Sequence, residues 1–138
     1  MKKDIAFEPV EGVSVAIVPD ERAATTEGQP GWLVYLLNQS DFPLQNVIVS
    51  SNGYGTNAEG SPVRTSTLRH SLPEVMPRTA TPIEPIDPAL FHLNNQYWVS
   101  YYVGAQVFDK KFIFVPDSIV EENLTPIALL NQPGVLHS

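Results

Sequence analysis

The chain contains no cysteine. Disulfides, thiolate metal sites and a cysteine nucleophile are excluded together, and the absence fits a reducing compartment. Cations are scarce: eight Lys and Arg stand against fifteen Asp and Glu, a formal net charge of −7 at pH 7. The eight are scattered over Lys2, Lys3, Arg22, Arg64, Arg69, Arg78, Lys110 and Lys111 and form no basic stripe. So acidic a chain repels phosphate backbones, which disfavours nucleic acid and anionic membrane surfaces as partners. Long apolar runs are also lacking, and nothing approaches the roughly 20 residues of a membrane-spanning helix. The N-terminus opens with charge, as a signal peptide does, but Asp4, Glu8 and Pro9 interrupt any apolar segment behind it. A cytoplasmic location is expected.

What the chain does have is enough apolar residue for a core. It is 138 residues long and 43% hydrophobic, the size of one domain and sufficient to bury a core without cross-links. Thirteen prolines and eight glycines divide it into short runs rich in Val, Ile, Tyr and Phe, which suit pleated, half-buried strands. Gly12 to Val18 alternates and reads as a first strand; Glu21 to Gly31 reads as a loop. Trp32 to Leu37 is apolar on both faces, which predicts a central strand covered on both sides. Asn38 to Pro43 is a turn cluster, and Leu44 to Val49 a third strand. Ser51 to Gly55 and Asn57 to Pro62 read as a loop. Val63 to His70 is a polar strand suited to a sheet edge. Among the prolines that follow, only one short strand fits, near Arg78 to Ile83.

The clearest local signal is a hairpin. Gln96 to Val103 and Gln106 to Val115 flank Gly104-Ala105, and glycine in the first position of a two-residue loop is what a type II′ turn requires. That register sets Tyr101 against Phe108 and Tyr97 against Phe112 on the core face. It sets Trp98 against Lys111, a cation–π pairing, and Ser100 against Asp109 on the other. Lys110 then falls on the core face beside Val99 and needs a bulge or a snorkelling side chain.

Short strands at near-regular spacing predict an all-β fold: an immunoglobulin-like antiparallel β-sandwich of about seven strands with an apolar C-terminal tail. Residues 1–115 are assigned to the sandwich. Residues 116–138 are assigned to a tail that packs on it or on a partner, since Pro126 to Leu130 is too apolar to be left in water. Ser118 and Glu121 have capping-box spacing for a helical turn in the segment between.

Organised chemistry is sparse. His70, His92 and His137 have no metal-ligand spacing and read as surface or satisfied loop residues. Glu84 with Asp87, and Glu121 with Glu122, lie in proline-rich or chain-end segments and read as solvated carboxylates rather than an acid–base pair. No Gly-x-Ser-x-Gly elbow occurs, and Asn52-Gly53-Tyr54-Gly55 lacks the lysine of a phosphate-binding loop. No catalytic residue, metal site or cofactor is assigned. Aromatics are the concentrated resource, and at least half of those between Tyr97 and Phe114 belong in the core. The candidate interaction surface is Trp98, Tyr102 and Lys111, with Ile127, Leu129 and Leu130 of the tail.

Phe91-His92-Leu93-Asn94-Asn95, Tyr97-Trp98-Val99-Ser100-Tyr101-Tyr102 and Phe114 to Leu124 resemble a family of short bacterial proteins described as phenylalanyl-tRNA synthetase-related. The likeness runs the length of the chain and carries no synthetase motif, so it implies an accessory protein without catalytic residues. The leading expectation is a non-enzymatic cytoplasmic protein-interaction module that self-associates, most simply as a homodimer. The alternatives are that synthetase-related accessory role, or a small-molecule binder using the loops Ser51 to Pro62 and Thr81 to Asn95.

Overall fold

The computed structural model describes residues 12–20 and 31–138. Residues 21–30 of the predicted loop and the residues before Gly12 lie outside the described residues, and the last residue of that loop, Gly31, is strand. Ten strands are present among those described: β1 Val13–Asp20, β2 Gly31–Asn38, β3 Leu44–Thr56, β4 Pro62–Arg64, β5 Leu68–Val75, β6 Thr79–Ile86, β7 Asn94–Val103, β8 Gln106–Phe114, β9 Thr125–Ile127 and β10 Gln132–His137. They form two antiparallel sheets of five. One runs β6-β2-β1-β10-β9; in the other, β3 pairs β7, β7 pairs β8, and β4 and β5 share the far edge of β3. The all-β sandwich is therefore the fold, with ten strands rather than about seven.

Residue chemistry sorts the strands between interior and edge. Pro73 on β5, Pro82 and Pro85 on β6, and Pro126 on β9 all fall on edge strands, where a missing N–H costs no ladder bond. The edge strand β8 carries Lys110 and Lys111 at its centre. Lysine on an edge, and an inward-pointing charge above all, discourages pairing with another chain.

Between the sheets lies the main core, in which Val13, Val15 and Ile17 of β1 and Val34 and Leu36 of β2 meet Val47, Val49, Tyr97, Val99, Tyr101 and Phe112. The opposite face of the first sheet is apolar too. Ala16, Val18 and Leu37 are fully buried there under Ile127, with Leu129 and Leu130 packed alongside. This explains why β2 is apolar on both faces. Residues 116–138, set apart above as a tail, supply β9 and β10, and β10 pairs with β1 in the register Ala16 to Leu136. The first sheet thus runs to His137.

The β7–β8 hairpin has the register read from the sequence: Tyr97 pairs with Phe112, Trp98 with Lys111, Ser100 with Asp109 and Tyr101 with Phe108. Gly104 takes φ of 59°. Lys110 needs no bulge. It snorkels, and its Nζ donates to the Val13 carbonyl at 3.1 Å.

Three segments differ from expectation. Ser51 to Thr56 continues β3 instead of opening a loop. The Asn-Gly-Tyr-Gly run carries turn residues, but both of its edges are paired, to β7 and to β4. Bare glycine there admits Leu93, whose methyls would lie 3.1–3.3 Å from a Cβ at Gly53 or Gly55. The polar strand expected over Val63 to His70 is two strands, β4 and β5, broken at residues 65–67. Residues 116–123 form no capping box: Ser118 Oγ donates to the Val115 carbonyl, and only one 3-10 turn, Glu121–Asn123, follows.

Candidate functional site

The most organised polar site lies between the sheets at the end where β6 meets β3 and β7. It is built by an irregularity in β6. Val34 pairs with Glu84 but its neighbour Tyr35 pairs with Pro82, leaving Ile83 as an extra residue. A bulge switches the phase of a strand and re-aims its side chains. Here Ile83 joins the core, and Glu84 also turns inward, its side chain only 11% exposed. Unbroken alternation through Thr81 and Ile83 would have turned Glu84 to solvent.

Three donors from the second sheet converge on this one carboxylate. Oε1 accepts from Ser51 Oγ at 2.9 Å and lies 2.6 Å from His70 Nε2; Oε2 accepts from Tyr97 Oη at 3.1 Å. The four residues come from β3, β5, β6 and β7, so the cluster ties the two sheets together. Beside it opens a cavity of about 370 Å³, the lower part of the range for small-ligand sites. Glu84, Ser51, Tyr97 and Asn95 contribute polar wall; Leu68, Pro85, Ile86 and Leu90 contribute apolar wall. At the mouth, Asp87 caps the short Pro88–Leu90 turn, its Oδ1 accepting from Ala89 N at 2.9 Å. Asn52 also belongs to the wall, and its Oδ1 is shielded from solvent with no hydrogen-bond partner, a cost of about 1–3 kcal/mol. A second hollow, of about 460 Å³, is lined by Pro126, Ile127, Ala128, Asn131, Gln132 and Pro133 and offers no titratable side chain.

Ser, His and Glu together suggest a nucleophilic triad, but the connectivity is different. Ser51 Oγ and His70 Nε2 both end on Oε1 of Glu84, so no imidazole nitrogen receives the serine proton. The geometry holds a carboxylate in place; it does not activate a hydroxyl. Among the described residues no group of three His, Asp or Glu is placed to hold a metal ion.

Burial raises Tyr97 well above the ordinary tyrosine pKa, and the charge of Glu84 and the hydrogen bond to it act in the same direction. Tyr101 is raised by burial alone. Both phenols thus keep their protons in the folded chain, and Tyr97 donates its own to Glu84. Above pH about 10 the unfolded chain releases protons that the folded chain keeps. Stability conferred by these groups is complete below that pH and falls above it, for Tyr97 by up to about 1.4 kcal/mol per pH unit and for Tyr101 by less. Urea midpoints at pH 9 and pH 11 should differ accordingly, and Tyr97→Phe should shrink the difference. Equal pH sensitivity in wild type and variant would contradict the assignment.

The carboxylates and histidine of this site were read from sequence as solvated or incidental. For Glu84 and His70 the structure corrects that. Both are part-buried and bonded to each other, because the bulge and the β3–β5 pairing face them together, and no local pattern announces either. Asp87 is exposed. Of the loops expected over Ser51 to Pro62 and Thr81 to Asn95, the residues that line this cavity are mostly strand: Ser51 to Gly53 in β3, Glu84 to Ile86 in β6 and Asn95 in β7, with only Asp87 and Leu90 between strands.

The residues assigned to an interaction surface divide. Trp98 (45% exposed) and Tyr102 (41%) stand on the outer face of the second sheet, with Lys111 Nζ 4.7 Å from the Trp98 ring centroid. Ile48 and Val107 are exposed on the same sheet, Val107 paired directly with Tyr102. The tail residues do not join them. Ile127 is buried over the first sheet, where Leu129 and Leu130 are half-buried beside it; it is spent on the chain's own packing. No helix among the described residues is long and apolar enough to cross a membrane. Compared with known proteins, the chain matches no family model and no curated protein.

Proposed function

We propose that the protein is a non-enzymatic binding domain that holds a small ligand in the cleft beside Glu84. The single observation that carries this reading is the inward carboxylate. A bulge turns Glu84 between the sheets, and three side chains from the opposite sheet hold it there. Ionised groups are rarely placed at such depth for stability alone, because desolvation offsets much of what their bonds return. Perturbing polar groups that converge beside an apolar-walled cavity are a common mark of a ligand site.

A second reading is favoured by Trp98, Tyr102, Ile48 and Val107, which expose apolar surface on one sheet face. Exposed aromatic clusters of this kind suit protein contact, and self-association through this face, or an accessory role beside a synthetase, would use it. Edge-to-edge pairing through β8 is the poorer route to a dimer, given Lys110 and Lys111.

One experiment separates the two. A fragment library titrated into the isotope-labelled full chain should shift amide resonances of Ser51, Leu90, Asn95 and Tyr97 saturably. The cleft reading falls if no fragment moves them. Dilution-dependent shifts confined to Trp98, Tyr102 and Val107 would transfer the function to the outer face.

A further inference from the structure

We infer that the Glu84 cleft takes a primary ammonium or guanidinium group carried on a short apolar chain, an inference that rests on reading the cleft as a ligand site. The hydroxyls of Ser51 and Tyr97 are spent on Glu84. Thr65 Oγ1 accepts from Gly53 N and donates to the Ser66 carbonyl. Asn95 Nδ2 donates to the carbonyls of Leu90 and Leu93 at 3.0 and 3.2 Å. No side chain on the wall carries a positive charge for an anionic guest, and the donors left over, Asn52 Nδ2 and Ser66 Oγ, are uncharged.

Acceptors are left over as well, and among them are carboxylate oxygens. Asn95 is only 4% exposed; its two amide hydrogens face carbonyls, which fixes Oδ1 as the free end. That oxygen accepts no hydrogen bond and lies 3.5 Å from where a Cβ on Gly53 would sit. Glu84 Oε2 has one protein donor, Tyr97, and a carboxylate oxygen can accept two. Asp87 adds a second carboxylate at the mouth. An N–H-rich cation matches this set: it supplies up to three donors, and its charge is attracted by a chain of net charge −7. The side chains of Leu68, Ile86 and Leu90 leave room beside the head group for methylenes.

The test is calorimetry and amide-resonance mapping on the full chain with four probes: butylammonium, 1-pentanol, pentanoate and calcium chloride. Butylammonium should bind saturably, move Asn95, Tyr97 and Leu90, and weaken with added salt. Glu84→Gln should weaken it about tenfold or more, the worth of a charge-assisted hydrogen bond. Asp87→Asn, which keeps the turn cap, should weaken it a few-fold without altering the fold. Pentanol or pentanoate binding the cleft as tightly would overturn the cation assignment and leave the ligand site standing. Calcium alone saturating the same amides would overturn it in favour of a metal. If none of the four probes moves a cleft amide, the underlying site reading is withdrawn as well.

Discussion

Replacing Phe112 with alanine should destabilise the protein by about 3–5 kcal/mol, the usual cost of emptying a buried phenylalanine site. The ring is fully buried, and its place explains the size of the effect. It is carried by an edge strand and pairs in register with Tyr97, but it also reaches across the sandwich. Its ring meets that of His137 on β10 edge to face, at 5.5 Å between centroids, and Lys110 Nζ lies 5.1 Å above it. Truncation leaves a cavity between the sheets and removes the packing under a charged side chain. Against a total stability of about 5–15 kcal/mol for a domain, that is a large fraction. Melting temperature should fall by roughly 10–20 °C. Trp98→Ala, on the exposed face, should change it far less, as surface substitutions do. Equal losses from the two variants would mean that the second sheet does not pack as described.

The second large effect is expected at Gly134 on β10. A Cβ added there would lie 2.5 Å from Val18 Cγ1, 2.7 Å from Ile127 Cδ1 and 3.3 Å from the Ile17 carbonyl oxygen. Ile127 can swing the end of its side chain. Val18 cannot yield as readily, because a β-branched residue has little χ1 freedom, and it is fully buried. Gly134→Ala should therefore cost about 1–3 kcal/mol through overpacking, in spite of the methyl's higher strand propensity. A compensating change decides the mechanism. Val18→Ala in the same chain should recover part of the loss, giving a favourable interaction energy in a double-mutant cycle of denaturant midpoints. Strict additivity would mean that the two sites do not touch. At stake is the second, smaller core, because Gly134 on β10 sits against Val18 and Ile127, two of that cluster's buried side chains, on the outer face of the first sheet.

Local pattern was sufficient for the strands whose chemistry is unambiguous. The Gly104-Ala105 turn, with alternating aromatics on both sides, specified the β7–β8 register residue by residue. The doubly apolar run Trp32 to Leu37 required cover on both sides, and it has two clusters to supply it. Where glycine and asparagine stand in a strand, the pattern misled. Asn52-Gly53-Tyr54-Gly55 has the composition of a turn, yet pairing on both edges and the approach of Leu93 hold it extended. Alternation was no guide to Glu84 either, since one unpaired residue, Ile83, reverses the phase of everything on one side of it.

Composition and periodicity alone thus determined the class of fold and the core face of the central hairpin, because burying alternate apolar side chains is a local requirement that each strand states for itself. The lack of cysteine and the scarcity of cations were likewise decided before folding. Tertiary structure decided what no window of residues contains: that Ser51, His70, Glu84 and Tyr97, from four strands and two sheets, meet at one carboxylate. It also decided that Ile127 covers the chain's own first sheet. Pairing partners, bulges and sheet order are set by contacts between distant segments, and those contacts choose which polar side chain leaves the solvent.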